Sequence, residues 1–130
     1  MKQTKGMMST ELFFCDTYAL IEITGGNPNY KKHLNHVLIT SDPNLMELYY
    51  AFLRDYGRKT ADKYFDFWAR FSILIPRETI RQAMEFKLAN KKDNLSYTDC
   101  MGYIFSLQNN VKFLTGDIKF RGREGVEFVT

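Results

Sequence analysis

The chain has few of the features that would settle its class at sight. It carries only two cysteines, Cys15 and Cys100, in 130 residues. That excludes a disulfide framework of the secreted kind, and each cysteine falls inside a predicted element, as expected of a buried free thiol in a reducing compartment. No window is apolar for the length of a membrane span. The opening MKQTKGMMST is not followed by an apolar stretch of signal-peptide length. A cytoplasmic protein without a membrane anchor is the expectation. Proline is scarce, and Pro28, Pro43 and Pro76 all mark element boundaries. Charge of one sign is not dominant, since 18 basic and 15 acidic side chains leave +3. There is no internal repeat and no low-complexity segment. Gly25-Gly26 lacks the spacing and the following Lys-Ser/Thr of a phosphate-binding loop. His33 and His36 have no third ligand in their motif, which argues against zinc.

What the chain does have is aromatic side chains, 11 Phe and 8 Tyr, and enough length to bury a proper core as one domain. Residues 1–9 read as a short tail and 10–130 as the domain. Leu12-Phe13-Phe14-Cys15 is apolar without polar alternation, the pattern of a strand buried on both faces. Val111 to Leu114 is another apolar run, broken only by Lys112, and Ile73-Leu74-Ile75 and Val37 to Thr40 are further candidate strands. Val126 to Val129, with Glu127 alternating, reads as an exposed edge strand. Helical signals fall between them. Tyr18 to Ile23 gives a turn or two, and Tyr30 to His36 a short basic helix. Asp42 is an N-cap candidate, with Pro43 in the first helical position and Gly57 closing that helix. A helix from Thr60 or Asp62 would bury Tyr64, Phe65, Trp68 and Phe71. Glu78 to Asn90 is another, and Ser96 opens the last, which stops at Asn109-Asn110. Strands separated by helices imply crossover connections and a mainly parallel sheet.

Four carboxylates sit at the ends of these elements: Asp16 after the first strand, Glu47 and Asp99 near the starts of two helices, and Asp117 after Thr115-Gly116. In a parallel sheet, strand ends and helix starts share one edge, where ligands bind. Each acid also has a plain reading. Asp16 would cap the following helix, Asp99 would pair with Ser96, Asp117 would be a turn residue, and Glu47 would be solvated. Together they offer oxygen ligands for a hard cation, Mg²⁺ or Mn²⁺. A pair of such ions roughly 4 Å apart suits phosphodiester hydrolysis. With the four acids neutralised, the remaining balance rises to +7 (18 basic against 11 acidic), attractive to a polyanion.

Four segments, in order, resemble the motifs of PIN-domain proteins: Phe14 to Leu20 around Asp16, Asn44 to Tyr50 around Glu47, Ser96 to Cys100 around Asp99, and Phe113 to Asp117 with Lys119-Phe120 following. The resemblance implies a three-layer α/β/α sandwich and a Mg²⁺- or Mn²⁺-dependent endoribonuclease acting on RNA. It further implies a VapC-type toxin of a type II toxin–antitoxin pair, homodimeric and held inactive by a small antitoxin protein. Asp16, Glu47, Asp99 and Asp117 would bind metal, and Thr115 would assist through its hydroxyl. Two departures stand out: Lys119 where many relatives carry a further acid, and Met101-Gly102-Tyr103 where small alanines are common. Lys119, Arg121 and Arg123 are candidates for RNA phosphate contacts. The alternatives are a non-catalytic RNA- or protein-binding module with a degenerate metal site and, from a different class, a phospho-accepting receiver domain. The latter lacks its acidic pair and its mid-chain aspartate.

Overall fold

Alternate side chains of a strand point to opposite faces, so an unbroken apolar run needs cover on both. That is what the computed structural model, which describes residues 10–130, shows for β1 (Leu12–Cys15). Phe13 and Cys15 enter one core with Leu20, Leu45, Leu48, Phe52 and Trp68. Phe14 enters the other with Ala83, Cys100, Tyr103 and Phe120. β4 (Lys112–Thr115) splits in the same way, Leu114 to the first core and Phe113 to the second. Each fully buried phenylalanine contributes about 2–3 kcal/mol by removal from water, so the two central strands are pinned from both sides.

The five strands are all parallel and lie in the order β3-β2-β1-β4-β5. β2 is Val37–Ser41, β3 Ser72–Ile73 and β5 Val126–Phe128. One face is covered by α1 (Thr17–Thr24), α2 (Asp42–Tyr56) and α3 (Arg58–Ala69), and the other by α4 (Arg77–Ala89) and α5 (Tyr97–Gln108). This is the expected three-layer α/β/α sandwich with β1 and β4 central. β5 is an edge strand, as its alternation suggested. Both cysteines are free and buried. No described helix is long and apolar enough to cross a membrane. The tail read for residues 1–9 lies outside the described residues.

Several boundaries differ from the sequence reading. Ser41, not Asp42, is the N-cap of α2; its backbone is extended and its hydroxyl donates to Asn44 Oδ1 at 2.6 Å. Asp42 instead occupies the first turn and accepts from Ser72 Oγ at 2.6 Å. Gly57 both ends α2 and starts α3, two residues or more before the expected Thr60 or Asp62. Its φ of +89° allows the chain to reverse there. Pro28 and Asn29 already belong to a 3₁₀ helix that runs to Asn35, so it begins two residues ahead of the helix expected from Tyr30. Of the run Ile73-Leu74-Ile75 only Ile73 is in a strand, because pairing to β2 ends there and Leu74 is 90% exposed.

That 3₁₀ segment ties down the C-terminal strand. Asn29 Nδ2 donates to Thr130 O at 2.8 Å, Tyr30 Oη to Val129 O at 2.5 Å, and His33 Nε2 meets Glu127 Oε2 at 2.9 Å. Val129 N in turn donates to Thr115 O at 2.8 Å. The end of β4, where Thr115 sits, is thereby fixed from its outer side.

Candidate active site at the carboxyl edge of the sheet

Parallel strands that end together bring their following residues together. Asp16 follows β1 directly, Thr115 ends β4, and Asp117 lies two residues beyond it. Glu47 projects from the second turn of α2, which follows β2, and Asp99 from the first turn of α5. All four acids therefore gather at one edge, and their charges act on each other. Asp99 and Asp117 act on Asp16, and Glu47 and Asp117 act on Asp99.

Asp16 is the deepest of them, at 2% exposure. Its Oδ1 accepts from Ala19 N at 2.8 Å, which makes it the cap of α1 as well. Its Oδ2 accepts from the Thr115 hydroxyl. Thr115 Oγ1 is itself held by Asp117 N at 3.0 Å. A short relay thus runs from the Asp117 amide through Thr115 to Asp16. Burial, opposed by the Thr115 and Ala19 hydrogen bonds and aided by the charges of Asp99 and Asp117, lifts the Asp16 carboxyl to about 8. Asp99 rises to about 6, chiefly by burial. The Ser96 hydrogen bond and the charge of Lys119 pull it back, and Glu47 and Asp117 push it further up. Both shifts mean that negative charge here is short of a counter-charge. Burial also drives the neighbouring Cys15 thiol far up, so it is no nucleophile.

A second set of polar groups was not foreseen from the sequence. Ser41 Oγ donates to Asn44 Oδ1 (2.6 Å), Asn44 Nδ2 to Thr17 Oγ1 (3.1 Å), and Thr17 Oγ1 to Glu47 Oε1 (2.6 Å). Asn44 is wholly buried. The chain of bonds aims Glu47 towards the start of α1, next to Asp16. A signal was present, since Thr17 and Asn44 fall within the segments around Asp16 and Glu47. Their polarity beside apolar neighbours marks positions that need partners when buried.

The donor set suits a hard divalent ion, since every candidate ligand is oxygen and two of the acids carry raised proton affinity. As the side chains stand, no three His, Cys, Asp or Glu groups among the described residues are close enough together to hold an ion. Both Asp16 oxygens and one Glu47 oxygen face hydroxyl or amide partners. The basic residues beyond the fourth acid are partly engaged. Lys119 Nζ donates to Asn94 O at 3.0 Å and Arg123 Nη2 to Asp93 Oδ2 at 2.5 Å, while Arg121 is exposed.

A family model described as PIN domain matches residues 13–125. The chain belongs to the PIN-domain family. Solved structures bear out the fold of this PIN domain. The VapC20 structure from Mycobacterium tuberculosis, described as a sarcin-ricin-loop-cleaving toxin, is 18% identical with a TM-score of 0.74, over 91% of this chain and 99% of that one. A chain of the VapBC2 structure from Rickettsia felis, bound to a DNA fragment of its promoter, is 16% identical with a TM-score of 0.71, over 92% and 99%. A chain of a toxin–antitoxin complex from Klebsiella pneumoniae is 18% identical with a TM-score of 0.66, over 91% and 96%. Functionally curated proteins gave no significant match.

Proposed function

We propose that this PIN domain is an endoribonuclease that hydrolyses RNA phosphodiester bonds with Mg²⁺ or Mn²⁺ held by Asp16, Glu47, Asp99 and Asp117. The observation that carries the reading is the convergence of four carboxylates at the carboxyl edge of the sheet, two of which, Asp16 and Asp99, are raised chiefly by burial and further by the other acids. Like charges gathered this way call for a cation. A divalent ion bound there supplies Lewis acidity, which acidifies water and neutralises phosphate charge. The protein's own part is positional. Thr115 donates to Asp16 and keeps one of its oxygens oriented, while the Asp117 amide holds Thr115. Thr17 does the same for Glu47, and Asn44 holds Thr17. Lys119, Arg121 and Arg123 are assigned to RNA phosphates beside the acids. Attack by water leaves a 5′-phosphate and a 3′-hydroxyl. End analysis of the products tests this, and 2′,3′-cyclic phosphate ends would sink it.

The physiological role we assign is that of a toxin in a type II toxin–antitoxin pair, acting in the cytoplasm as a homodimer. Its small antitoxin partner is assigned to the apolar groove of about 620 Å³ between α1, β2 and α3. Leu34, Val37 and Phe67 are exposed on its rim, over Trp68 and Phe71. Solved relatives of the same fold come from toxin–antitoxin complexes, which supports a partner of that kind. Sedimentation of the isolated chain tests the dimer.

The rival reading is a non-catalytic binding module with a degenerate site. The absence of a tight three-ligand group among the described residues favours it. Saturable Mn²⁺ binding separates the two, since a degenerate site shows none.

A further inference from the structure

Three basic side chains converge on the loop ahead of α5. Lys87 Nζ donates to Leu95 O, Arg123 Nη2 to Asp93 Oδ2 and Lys119 Nζ to Asn94 O. Two of them have evident structural work. Arg123 pairs with Asp93 and lies over the Phe86 and Phe120 rings at 5.6 and 6.0 Å, and Lys87 lies 4.8 Å from the Tyr97 ring centre.

Lys119 stands apart. Its backbone N–H donates to Asp117 Oδ1 at 3.0 Å, so it is anchored to one acid of the site. Its ammonium reaches across to Asn94, five residues before another acid, Asp99, on which its charge acts. Among the described residues it forms no ion pair within 4.0 Å. One of its three N–H groups is taken by the Asn94 carbonyl, and an ammonium has two more to offer. The result is a positive charge tethered between the Asp117 and Asn94 segments, near enough to Asp99 for its charge to act there.

We propose that Lys119 is the resident cation of the acid site, so that the site loads a single divalent ion and the Lys119 ammonium meets a non-bridging oxygen of the phosphate being cleaved. The proposal rests on the metal-nuclease reading given above. A dication beside a fixed ammonium is opposed by like-charge repulsion, which disfavours a second ion on the Asp99–Asp117 side. An ammonium hydrogen-bonded to a carbonyl also gives the substrate phosphate a charge-assisted donor.

The test is calorimetric titration of Mn²⁺ into the full metal-free chain at pH 8, for wild type, Lys119→Glu, Lys119→Gln and Lys119→Arg. One ion is expected for wild type and for Lys119→Arg. Lys119→Glu should take two. Lys119→Gln, which removes the charge but keeps a hydrogen-bonding group, should bind its first ion roughly tenfold more tightly, and it decides the matter if Lys119→Glu fails to fold. RNA cleavage at saturating Mn²⁺ should fall at least tenfold in Lys119→Gln and be largely retained in Lys119→Arg. Two ions in wild type, or the same isotherm for wild type and Lys119→Gln, would overturn the role of Lys119 while leaving the metal reading intact. No saturable Mn²⁺ binding in any variant would overturn both.

Discussion

Replacing Asp16 by Asn should make the metal-free protein more stable, although it removes a residue that caps a helix and anchors the site. In the unfolded chain Asp16 titrates at about 4, and in the fold at about 8, mainly because it is buried. Between those values the native state binds more protons than the unfolded state, so stability falls as pH rises through that window. Below it the penalty is absent, and above it the penalty is complete. Four pH units at about 1.4 kcal/mol each set a ceiling of about 6 kcal/mol. Asn keeps an oxygen for the Ala19 amide, and the Thr115 hydroxyl can turn to accept from the new NH₂. Allowing about 1–2 kcal/mol for imperfect exchange, the gain at pH 8.5 should be at most about 4–5 kcal/mol, a rise in Tm of up to roughly 15–20 °C. Urea or thermal melts in EDTA at pH 5 and 8.5 measure it, and the advantage of Asp16→Asn should vanish at pH 5. Mn²⁺ at a roughly thousandfold excess over Kd should close most of that gap at pH 8.5, since wild type gains about 4.1 kcal/mol and the variant gains little. An Asp16→Asn protein less stable than wild type at pH 8.5 in EDTA would refute the reasoning. It would mean that the two hydrogen bonds, not burial, govern this carboxylate.

Mn²⁺ affinity should weaken as pH falls from 8 towards 6, by up to about tenfold per unit for each proton displaced, because Asp16 and Asp99 hold protons up to about 8 and 6; titrations at three pH values measure it. Gly116→Ala should destabilise by about 2 kcal/mol or more, since its Cβ would collide with the Tyr18 ring and Val129 O; a chemical melt reads this directly. Gly102→Ala should cost about 1–3 kcal/mol by overpacking, because its Cβ would stand 2.5 Å from Phe14 Cε1. Phe67→Glu, on the rim of the apolar groove, should abolish co-purification with the small antitoxin proposed for that groove. The fold and RNA cleavage should stay intact, as circular dichroism and a cleavage assay would show.

The central strands were legible because burial on both faces favours apolar runs without polar alternation. Leu12 to Cys15 is apolar at every position and Val111 to Leu114 at all but Lys112, and both became inner strands of the sheet. The edge strand at Val126 was legible through the single charge of Glu127. Ile73-Leu74-Ile75 misled because an apolar run says that cover is needed, not that it exists. Leu74 has none. The start of α2 misled because Ser41 and Asp42 are both good caps, and only the backbone turn at Ser41 decides between them. At the site, the four acids could be placed on one edge from topology alone. Of the groups that orient them, Thr115 entered through the family resemblance alone, and the others could not be placed. The Ser41–Asn44–Thr17–Glu47 chain joins residues up to 30 positions apart. The tie from Tyr30 to Val129 spans 99. Such contacts depend on how helices sit on the sheet, which periodicity does not encode.

The central claim is that the gathered acids form one metal-dependent ribonuclease site. It is tested most directly by cleavage of a mixed RNA pool with Mn²⁺, comparing wild type with Asp16→Asn and Asp99→Asn, each shown to be folded. The account predicts metal-dependent cutting by wild type and a loss of at least a hundredfold in both variants. Cutting that survives both substitutions, or none by folded wild type with either Mg²⁺ or Mn²⁺ on several RNAs, would contradict it.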